Sequence, residues 1–347
     1  MRRVGRFLVA LTVTAVLAAA CGHPQTPQPA GGTGGTSGAT TPGQGPVADA
    51  GNAVEGSGGQ SPVPLGLSPD QSNVKYCSLP GVPDDQEDMD IYNAHGGGGT
   101  TPAVLFVHGG GWLVGDKASE RPYPGMQTPV LTQWIRSLQD KGILVASINY
   151  PLAIRYPMPL GIEGVKCAVR FLRAKAADYH IDPNRIGAFG GSAGGHLVAL
   201  LTVSNDDRAW DVGSYLDQSS KVQAVVDLFG PTDIALLQQE RPSTARFLNH
   251  IFQGEDNYPK FSPALLVKSG APYPPTLVMN GQLDPGVPPQ QAQEFYDKLK
   301  GAGATTQLVL VKNAGHGFVP VPDGATISPS IGQLTSDIVD WFVQYLR

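Results

Sequence analysis

Charged residues are scarce in this chain of 347 residues: Asp, Glu, Lys and Arg make up 15% of it, and the net charge at pH 7 is −5. A nucleic-acid partner needs a concentrated basic surface, so the composition excludes that class of function. Only three cysteines and seven histidines are present, and no histidine pair has a metal-binding spacing such as H-E-x-x-H. We therefore expect neither a metal ion nor another cofactor.

Long apolar runs are also lacking, and the one candidate is Phe7–Ala20, of about 14 residues, which is short for a membrane span but typical of a signal peptide. Three arginines precede it, and Leu17–Gly22 reads LAAACG, which resembles a bacterial lipobox. Residues 1–21 are therefore predicted to be a lipoprotein signal peptide, with Cys21 as the lipidated residue. The chain is then exported and held at the cell envelope by a membrane lipid anchor. Cleavage after Ala20 without lipidation, which gives a secreted protein, is the alternative.

Residues 22–68 lack both charge and apolar periodicity and consist mainly of Gly, Pro, Thr, Ser, Gln and Ala. Such a segment buries too little apolar surface to offset the entropy lost on ordering. We predict that it is a disordered tether between the anchor and a folded domain.

Apolar runs of strand length alternate with amphipathic helical patterns from residue 69 to residue 347. The predicted strands cover 74–77, 89–92, 103–107, 143–148, 186–189, 222–228, 276–280 and 307–312, and the predicted helices cover 130–139, 161–179, 289–301 and 331–346, with one more from 196. This alternation predicts an α/β domain with a doubly wound, mostly parallel sheet of about eight strands and an antiparallel start. Residues 234–271 interrupt the pattern and form either a small lid over the site or a surface insertion.

Ser192 lies in the turn between a predicted strand and a predicted helix, within Gly190-Gly191-Ser192-Ala193-Gly194. The pattern G-x-S-x-G at such a turn is typical of a nucleophile elbow. Side chains at Gly190 and Gly194 would collide with neighbouring backbone in so tight a turn. Ser192 is therefore the predicted nucleophile.

An acid and a base follow Ser192 in the chain, each on a loop after a predicted strand. Asp284 is the candidate acid and His316 the candidate base, and the order Ser, Asp, His is that expected for a catalytic triad on a doubly wound sheet. Asp233 also follows a strand and is the rival acid. The position of Asp284, nearer to His316 along the chain, favours Asp284.

A glycine run directly after a buried strand can turn backbone N–H groups toward a developing oxyanion. His108-Gly109-Gly110-Gly111-Trp112 has this position. His95-Gly96-Gly97-Gly98-Gly99 has the same spelling but leads into a strand, so we predict an ordinary turn there.

From about residue 74 onward, the chain resembles the α/β-hydrolase esterases of the hormone-sensitive-lipase-like and acetyl- and feruloyl-esterase-like branch. The matching segments are His108–Trp112, Gly115–Lys117, Val165–Ala174, Ile181–Ile186, Gly190–His196, Phe229–Asp233, Asp284 and Gly315–Phe318. The resemblance implies an α/β-hydrolase fold, the triad Ser192, Asp284 and His316, and oxyanion donors at the backbone N–H groups of Gly110, Gly111 and Ala193. Gly191 stands where the lipase-like members have Asp, which places the chain closer to the acetyl- and feruloyl-esterase-like group.

Three further residues keep two interpretations each. Trp112 either lines the substrate pocket or packs under the oxyanion loop. Cys77 and Cys167 are the pair that remains in an exported domain, and they either form a disulfide or are two separately buried thiols.

The predicted function is a serine carboxylesterase that hydrolyses short-chain or small aromatic esters through an acyl-enzyme on Ser192. The partner is then a small-molecule ester. An amidase, peptidase or arylformamidase-like hydrolase on the same fold is the alternative within the enzymes, and a non-catalytic surface lipoprotein is the alternative outside them.

Overall fold

The computed structural model describes residues 63–96, 98–120, 130–205 and 207–347. Their strands are β1 Val63–Pro64, β2 Gln71–Lys75, β3 Asp88–Tyr92, β4 Thr101–Val107, β5 Ser119–Glu120, β6 Leu144–Ile148, β7 Ile181–Gly191, β8 Ala224–Leu228, β9 Thr276–Gly281 and β10 Thr306–Val311. Their α-helices are α1 Val130–Asp140, α2 Leu160–Ala174, α3 Ala193–Val203, α4 Ile234–Glu240, α5 Ala245–Phe252, α6 Pro263–Leu266, α7 Pro289–Gly301 and α8 Ile331–Leu346. No helix of the described ranges has the length and apolar character needed to cross a membrane.

Eight strands form one sheet in the order β10-β9-β8-β7-β4-β6-β3-β2. The pairs from β10 through β6 are parallel, whereas β3 pairs antiparallel with both β6 and β2. The predicted α/β-hydrolase fold, a mostly parallel sheet of eight strands with an antiparallel start, is confirmed. In such a sheet the carboxyl ends of the parallel strands meet along one edge, where ligand sites form.

Apolar side chains cover both faces of the sheet, which explains why its central strands read as continuous apolar runs. In β4, Leu105 belongs to the core with α2 and α3, and the next residue, Phe106, belongs to the core with α1 and α8. Adjacent residues of β7, Ala188 and Phe189, divide in the same way. The helices therefore lie on both faces and leave the strand ends open to loops.

The interrupted segment after β8 contains α4, α5 and α6 with short 3₁₀ turns between them. Its apolar residues Leu248, Ile251 and Phe252 are fully buried in the same core as α2 and α3. The carbonyl of Ile251 accepts a hydrogen bond of 3.0 Å from the N–H of Met158. The segment is therefore packed into the domain by its own apolar face, and we call residues 234–266 the cap.

Several predicted boundaries differ from those of the structure; for example, the strand predicted at 186–189 is β7, which runs from Ile181 to Gly191. The composition predicts a tether up to residue 68, but Val63–Pro64 pairs with Ser119–Glu120, and Leu65 is buried because its apolar side chain packs into the α1 and α8 core. The helix predicted to reach residue 179 ends at Ala174, since the following residues turn back into β7. The predicted signal peptide, Cys21 and the tether up to residue 62 lie outside the described residues.

A disulfide joins Cys77, just after β2, to Cys167 on α2, with 5.9 Å between their Cα atoms. Of the two interpretations of these cysteines, the structure has the bonded one. The bond ties the antiparallel edge of the sheet to a helix of the central core.

Candidate active site

Ser192 occupies a strained turn between β7 and α3, with φ 56° and ψ −118°. A Cβ at Gly190 would lie 2.6 Å from the carbonyl oxygen of Gly194, and a Cβ at Gly194 would lie 2.0 Å from that of Val107. Such contacts are far inside van der Waals distance, so only glycine fits at both positions. The structure thus has the tight elbow that the sequence predicts, and Ser192 is held in a backbone conformation that is uncommon for residues other than glycine.

The three predicted triad residues come together in one hydrogen-bonded chain. The Nε2 atom of His316 lies 3.0 Å from Oγ of Ser192, and its Nδ1 atom lies 2.8 Å from Oδ2 of Asp284. The other carboxylate oxygen of Asp284 accepts backbone N–H groups from Gly286 and Val287 at 2.7 and 2.8 Å. With both oxygens engaged, the carboxylate is held in place and Nδ1–H of the imidazole donates to it, so Nε2 is free to accept the serine proton.

The rival acid has a different role. Asp233 is the N-cap residue of α4, and its Oδ1 accepts the N–H of Leu236 at 3.0 Å. Asp116, in the loop after the glycine run, accepts the N–H of Ala118 at 2.8 Å and so anchors its own loop. Neither carboxylate therefore competes with Asp284 for the position beside His316. His95, in the glycine run at 95–99, pairs with Asp140 in an exposed turn, away from the triad.

The glycine loop after β4 packs directly against the elbow. A Cβ at Gly109 would lie 3.0 Å from the carbonyl oxygen of Gly191 and 3.4 Å from Cβ of Ser192. Gly110 and Gly111 have positive φ values of 112° and 60°, which favour glycine. Ala193 begins α3, where helix geometry leaves the backbone N–H without an intrahelical acceptor. The three predicted oxyanion donors thus belong to the two segments that meet at Ser192.

Two side chains that follow β4 and β6 hold the base of this loop. The His108 ring stacks on Tyr150 with 4.5 Å between centroids, and the Tyr150 hydroxyl donates to the carbonyl of His108 at 3.2 Å. Nδ1–H of His108 donates to the carbonyl of Gly109 at 2.7 Å. Burial lowers the pKa of His108 to about 4, so the ring is neutral near pH 7 and adds no positive charge to the loop.

Trp112 packs under the loop, and the structure favours this interpretation over a place in the substrate pocket because only 3% of the residue is exposed. Its indole N–H donates to Nδ1 of His196 at 3.1 Å, and its ring meets Phe252 of the cap at 5.4 Å. Nε2–H of His196 in turn donates to the carbonyl of Phe261 at 2.7 Å, and burial lowers the pKa of His196 to about 4. A neutral His196 therefore joins the oxyanion loop, the elbow helix and the cap.

Sequence reasoning missed His196 and also Phe229, whose ring centroid lies 5.0 Å from that of His316. Phe229 begins one of the segments that resemble the esterases, and this resemblance is the one indication in the sequence that it lies near the site. Its partner is distant along the chain, and no spacing rule connects the two.

Asp227 lies on β8 beneath the elbow and is fully buried. Its Oδ1 accepts the N–H of Gly230 at 3.0 Å, whereas Oδ2 has no hydrogen-bond partner among the described residues. Burial raises the pKa of this carboxyl to about 7. Because the unfolded chain loses this proton at lower pH than the folded chain, the contribution of Asp227 to stability falls as the pH rises toward 7.

The free energy of unfolding of Asp227→Asn, relative to that of wild type, should therefore increase by about 2–3 kcal/mol as the pH is raised from 5 to 8. This figure follows from about 1.36 kcal/mol for each unit of pKa difference between the folded and unfolded states. The measurement is urea unfolding of both proteins at the two pH values, in which contributions of other groups cancel. Asp323→Asn, at an exposed position, is the control and should show no such change. An equal stability difference at both pH values would contradict a buried, neutral Asp227.

A cavity of about 340 Å³ lies away from the triad, lined in part by His95, Arg136 and Gln139. His95 follows β3, whose end Tyr92 pairs with Val145 near the start of β6. This cavity is therefore at the edge of the sheet opposite the strand ends that carry the triad. Within the described ranges, no group of three or more His, Cys, Asp and Glu side chains is arranged to hold a metal ion.

The chain is similar to proteins of known name. Esterase LipQ of Mycobacterium tuberculosis is 34% identical over 228 residues, which are 64% of this chain and 51% of that protein. Isoprenylcysteine alpha-carbonyl methylesterase ICME of Arabidopsis thaliana is 26% identical over 237 residues, which are 66% of this chain and 53% of that protein. The chain thus spans about half the length of these relatives.

Among solved structures, a truncated carbohydrate esterase from gut microbiota is 27% identical with a TM-score of 0.65, covering 82% of this chain and 98% of its own. Esterase 2 of Thermogutta terrifontis, phosphoramylated by tabun, is 26% identical with a TM-score of 0.61, covering 80% of this chain and 96% of its own. The family model BD-FAE matches residues 89–299, which contain Ser192 and Asp284. Since that match covers more than half of the sequence, the chain belongs to the BD-FAE family.

Proposed function

We propose that this protein is a serine carboxylesterase. The observation that carries the proposal is the hydrogen-bonded chain from Ser192 through His316 to Asp284, at 3.0 and 2.8 Å, beside a glycine-rich loop. The names of the relatives support it, since they include the esterases LipQ and LipC and the protein named "Probable carboxylic ester hydrolase LipM".

In the proposed reaction, Oγ of Ser192 attacks the ester carbonyl while Nε2 of His316 takes the hydroxyl proton. The negative charge that develops on the carbonyl oxygen is stabilised by the N–H groups of Gly110, Gly111 and Ala193. The alcohol leaves with the proton from His316, and an acyl-enzyme remains. Water then attacks the acyl carbon and gives a proton to His316. His316 returns that proton to Oγ of Ser192 as the acyl–oxygen bond breaks, which releases the acid and restores the free enzyme. Asp284 stabilises the imidazolium in both halves of the reaction.

We propose short acyl groups or small aromatic acids as the preferred substrates. Val114 follows the oxyanion loop and Leu283 precedes Asp284, and these apolar residues are 44% and 49% exposed, so the segments that carry the site offer only small apolar surfaces to a substrate. The cap is packed into the core through Phe252 rather than lying free over the site. A structural neighbour, esterase 2 of Thermogutta terrifontis, is 26% identical and was solved with propionate bound.

The test is labelling by a fluorophosphonate probe together with hydrolysis of p-nitrophenyl acetate, butyrate and octanoate. We expect the probe to modify Ser192, as mapped by peptide mass spectrometry, and the two shorter esters to be hydrolysed faster than the octanoate. A similar organophosphorus reaction is described for the structural neighbour that tabun phosphoramylates.

The matched amide, p-nitroacetanilide, distinguishes an amidase from an esterase. Preferential cleavage of the amide would favour an amidase on the same fold. A protein that neither reacts with the probe nor hydrolyses any ester would be a non-catalytic surface protein, and the proposal would be wrong.

A further inference from the structure

We propose that Phe229 is a positioning residue for this reaction: its ring, held by the turn Asp227–Gly230, sets the imidazole of His316 relative to Ser192. This inference rests on the proposed esterase function. It assigns a role to a side chain that contacts the predicted base without taking part in the hydrogen-bonded chain.

The backbone of Phe229 is held in an unusual conformation at the end of β8. Its φ is 45°, which is uncommon for a bulky residue and persists only where the surroundings require it. Two hydrogen bonds provide that constraint. The N–H of Phe229 donates to the carbonyl of Met279 at 2.7 Å, and the carboxyl of Asp227 accepts the N–H of Gly230 at 3.0 Å, which closes the turn around Phe229.

The ring that this turn presents packs on the imidazole of His316. The two centroids are 5.0 Å apart and the planes meet at 67°, while Phe318 packs on the same phenyl ring at 5.1 Å and 82°. Phe229 is 6% exposed, so the contact excludes water from that side of the base. The hydrogen bond from Nδ1 to Asp284 holds one atom of the imidazole but still allows the ring to tilt about the Nδ1···Oδ2 axis. The phenyl ring opposes this rotation and so keeps Nε2 directed at Ser192.

The same ring touches the nucleophile strand. A Cβ at Gly191, the residue before Ser192, would lie 3.0 Å from Cε2 and 3.1 Å from Cζ of Phe229. Phe229 thus lies between the backbone that carries the nucleophile and the side chain of the base, and it sets the spacing between them. A Cβ at residue 191 therefore requires the ring to shift by a few tenths of an ångström.

The first experiment is Phe229→Leu, which keeps apolar bulk but removes the ring. We expect kcat for p-nitrophenyl acetate to fall about 10–100-fold with KM within about threefold, because misplacement of a catalytic group by about 1 Å lowers the rate on this scale. Phe171→Leu is the matched control. Phe171 is 4% exposed, and its ring centroid lies 5.9 Å from that of Tyr179 and 5.8 Å from that of Tyr215. Its replacement removes a comparably buried ring and should leave kcat close to that of wild type.

The second experiment uses the contact with Gly191. Gly191→Ala should lower kcat about tenfold by displacing the ring, and the double variant Gly191→Ala with Phe229→Leu should lose much less than the product of the two single effects, since residues in contact are not additive. Thermal unfolding of each variant separates loss of fold from loss of kcat.

Three outcomes decide between the hypotheses. Equal behaviour of Phe229→Leu and Phe171→Leu, or single effects that multiply in the double variant, would overturn the positioning role and leave the esterase assignment intact. Wild type that neither hydrolyses ester nor reacts with the fluorophosphonate probe would overturn the proposed function and this inference together. The expected split between kcat and KM, with coupling to Gly191, supports both.

Discussion

Replacement of Ser192 by alanine is expected to lower kcat/KM for p-nitrophenyl acetate by about 10⁴-fold or more, because the members of a triad act as a unit. The change removes Oγ, the atom 3.0 Å from Nε2 of His316 that attacks the ester. The fold should survive, since the tight turn depends on the glycines at 190 and 194. Among the described residues, the serine hydroxyl has one hydrogen-bond partner, His316.

Asp284→Asn is expected to lower kcat/KM by about 10³–10⁴-fold, through the tautomer of His316. The backbone N–H groups of Gly286 and Val287 require an acceptor at the Oδ1 position. An asparagine that keeps its oxygen there directs its NH₂ group at Nδ1 of His316. The imidazole must then accept at Nδ1 and carry its proton on Nε2, where it can no longer take the proton of Ser192.

Asp233→Asn is the matched control for the acid. Asp233 caps α4 through its Oδ1 atom, and asparagine is as good an N-cap residue as aspartate, so activity within about threefold of wild type is expected. Steady-state kinetics and melting temperatures of the three variants test the assignment. If Asp233→Asn loses as much activity as Asp284→Asn, then Asp284 is not the sole acid. If Ser192→Ala retains activity, the nucleophile is another residue.

The meeting of Ser192, Asp284 and His316 could be predicted from sequence because each of these residues follows a strand that reads as an apolar run. Once the strands are recognised, their carboxyl ends must meet at one edge of a parallel sheet, and the order Ser192, Asp284, His316 selects among the remaining candidates. The glycine run at 108–112 was separated from the one at 95–99 by the same argument. The eight-stranded sheet followed from the alternation of strand and helix patterns alone.

The surroundings of the triad could not be predicted, because they depend on contacts between side chains far apart in sequence. Trp112, His196 and Phe261 lie on a loop, a helix and the cap, and no periodicity relates them. The same holds for the contact of Phe229 with Gly191 and His316. The weak periodicity of residues 234–271 predicts a lid or a surface insertion. The burial of its short helices in the core depends on tertiary contacts, which periodicity does not reveal.

Removal of the disulfide is expected to have the largest effect on stability. In the Cys77→Ala, Cys167→Ala double variant, the free energy of unfolding should fall by about 4–5 kcal/mol, because the bond closes a loop with a sequence separation of 90 and restricts the unfolded chain. Both cysteines are buried, at 2% and 0% exposed, and alanine avoids placing a hydroxyl there. Urea unfolding under oxidising conditions measures the change.

Two controls separate the bond from the packing of its sulfur atoms. Cys77→Ala alone should lose about as much stability as the double variant, because either change abolishes the same loop. A reductant should destabilise the wild type and leave the double variant unchanged. Free thiols at Cys77 and Cys167 in the oxidised protein, or a wild type that the reductant does not destabilise, would contradict the disulfide. A disulfide is consistent with the exported location that the sequence predicts. The loop closed by the disulfide, from 77 to 167, contains β4 and the glycines after it. In both wild type and the double variant, the proposed esterase activity should therefore be lost at the same urea concentration as the fold.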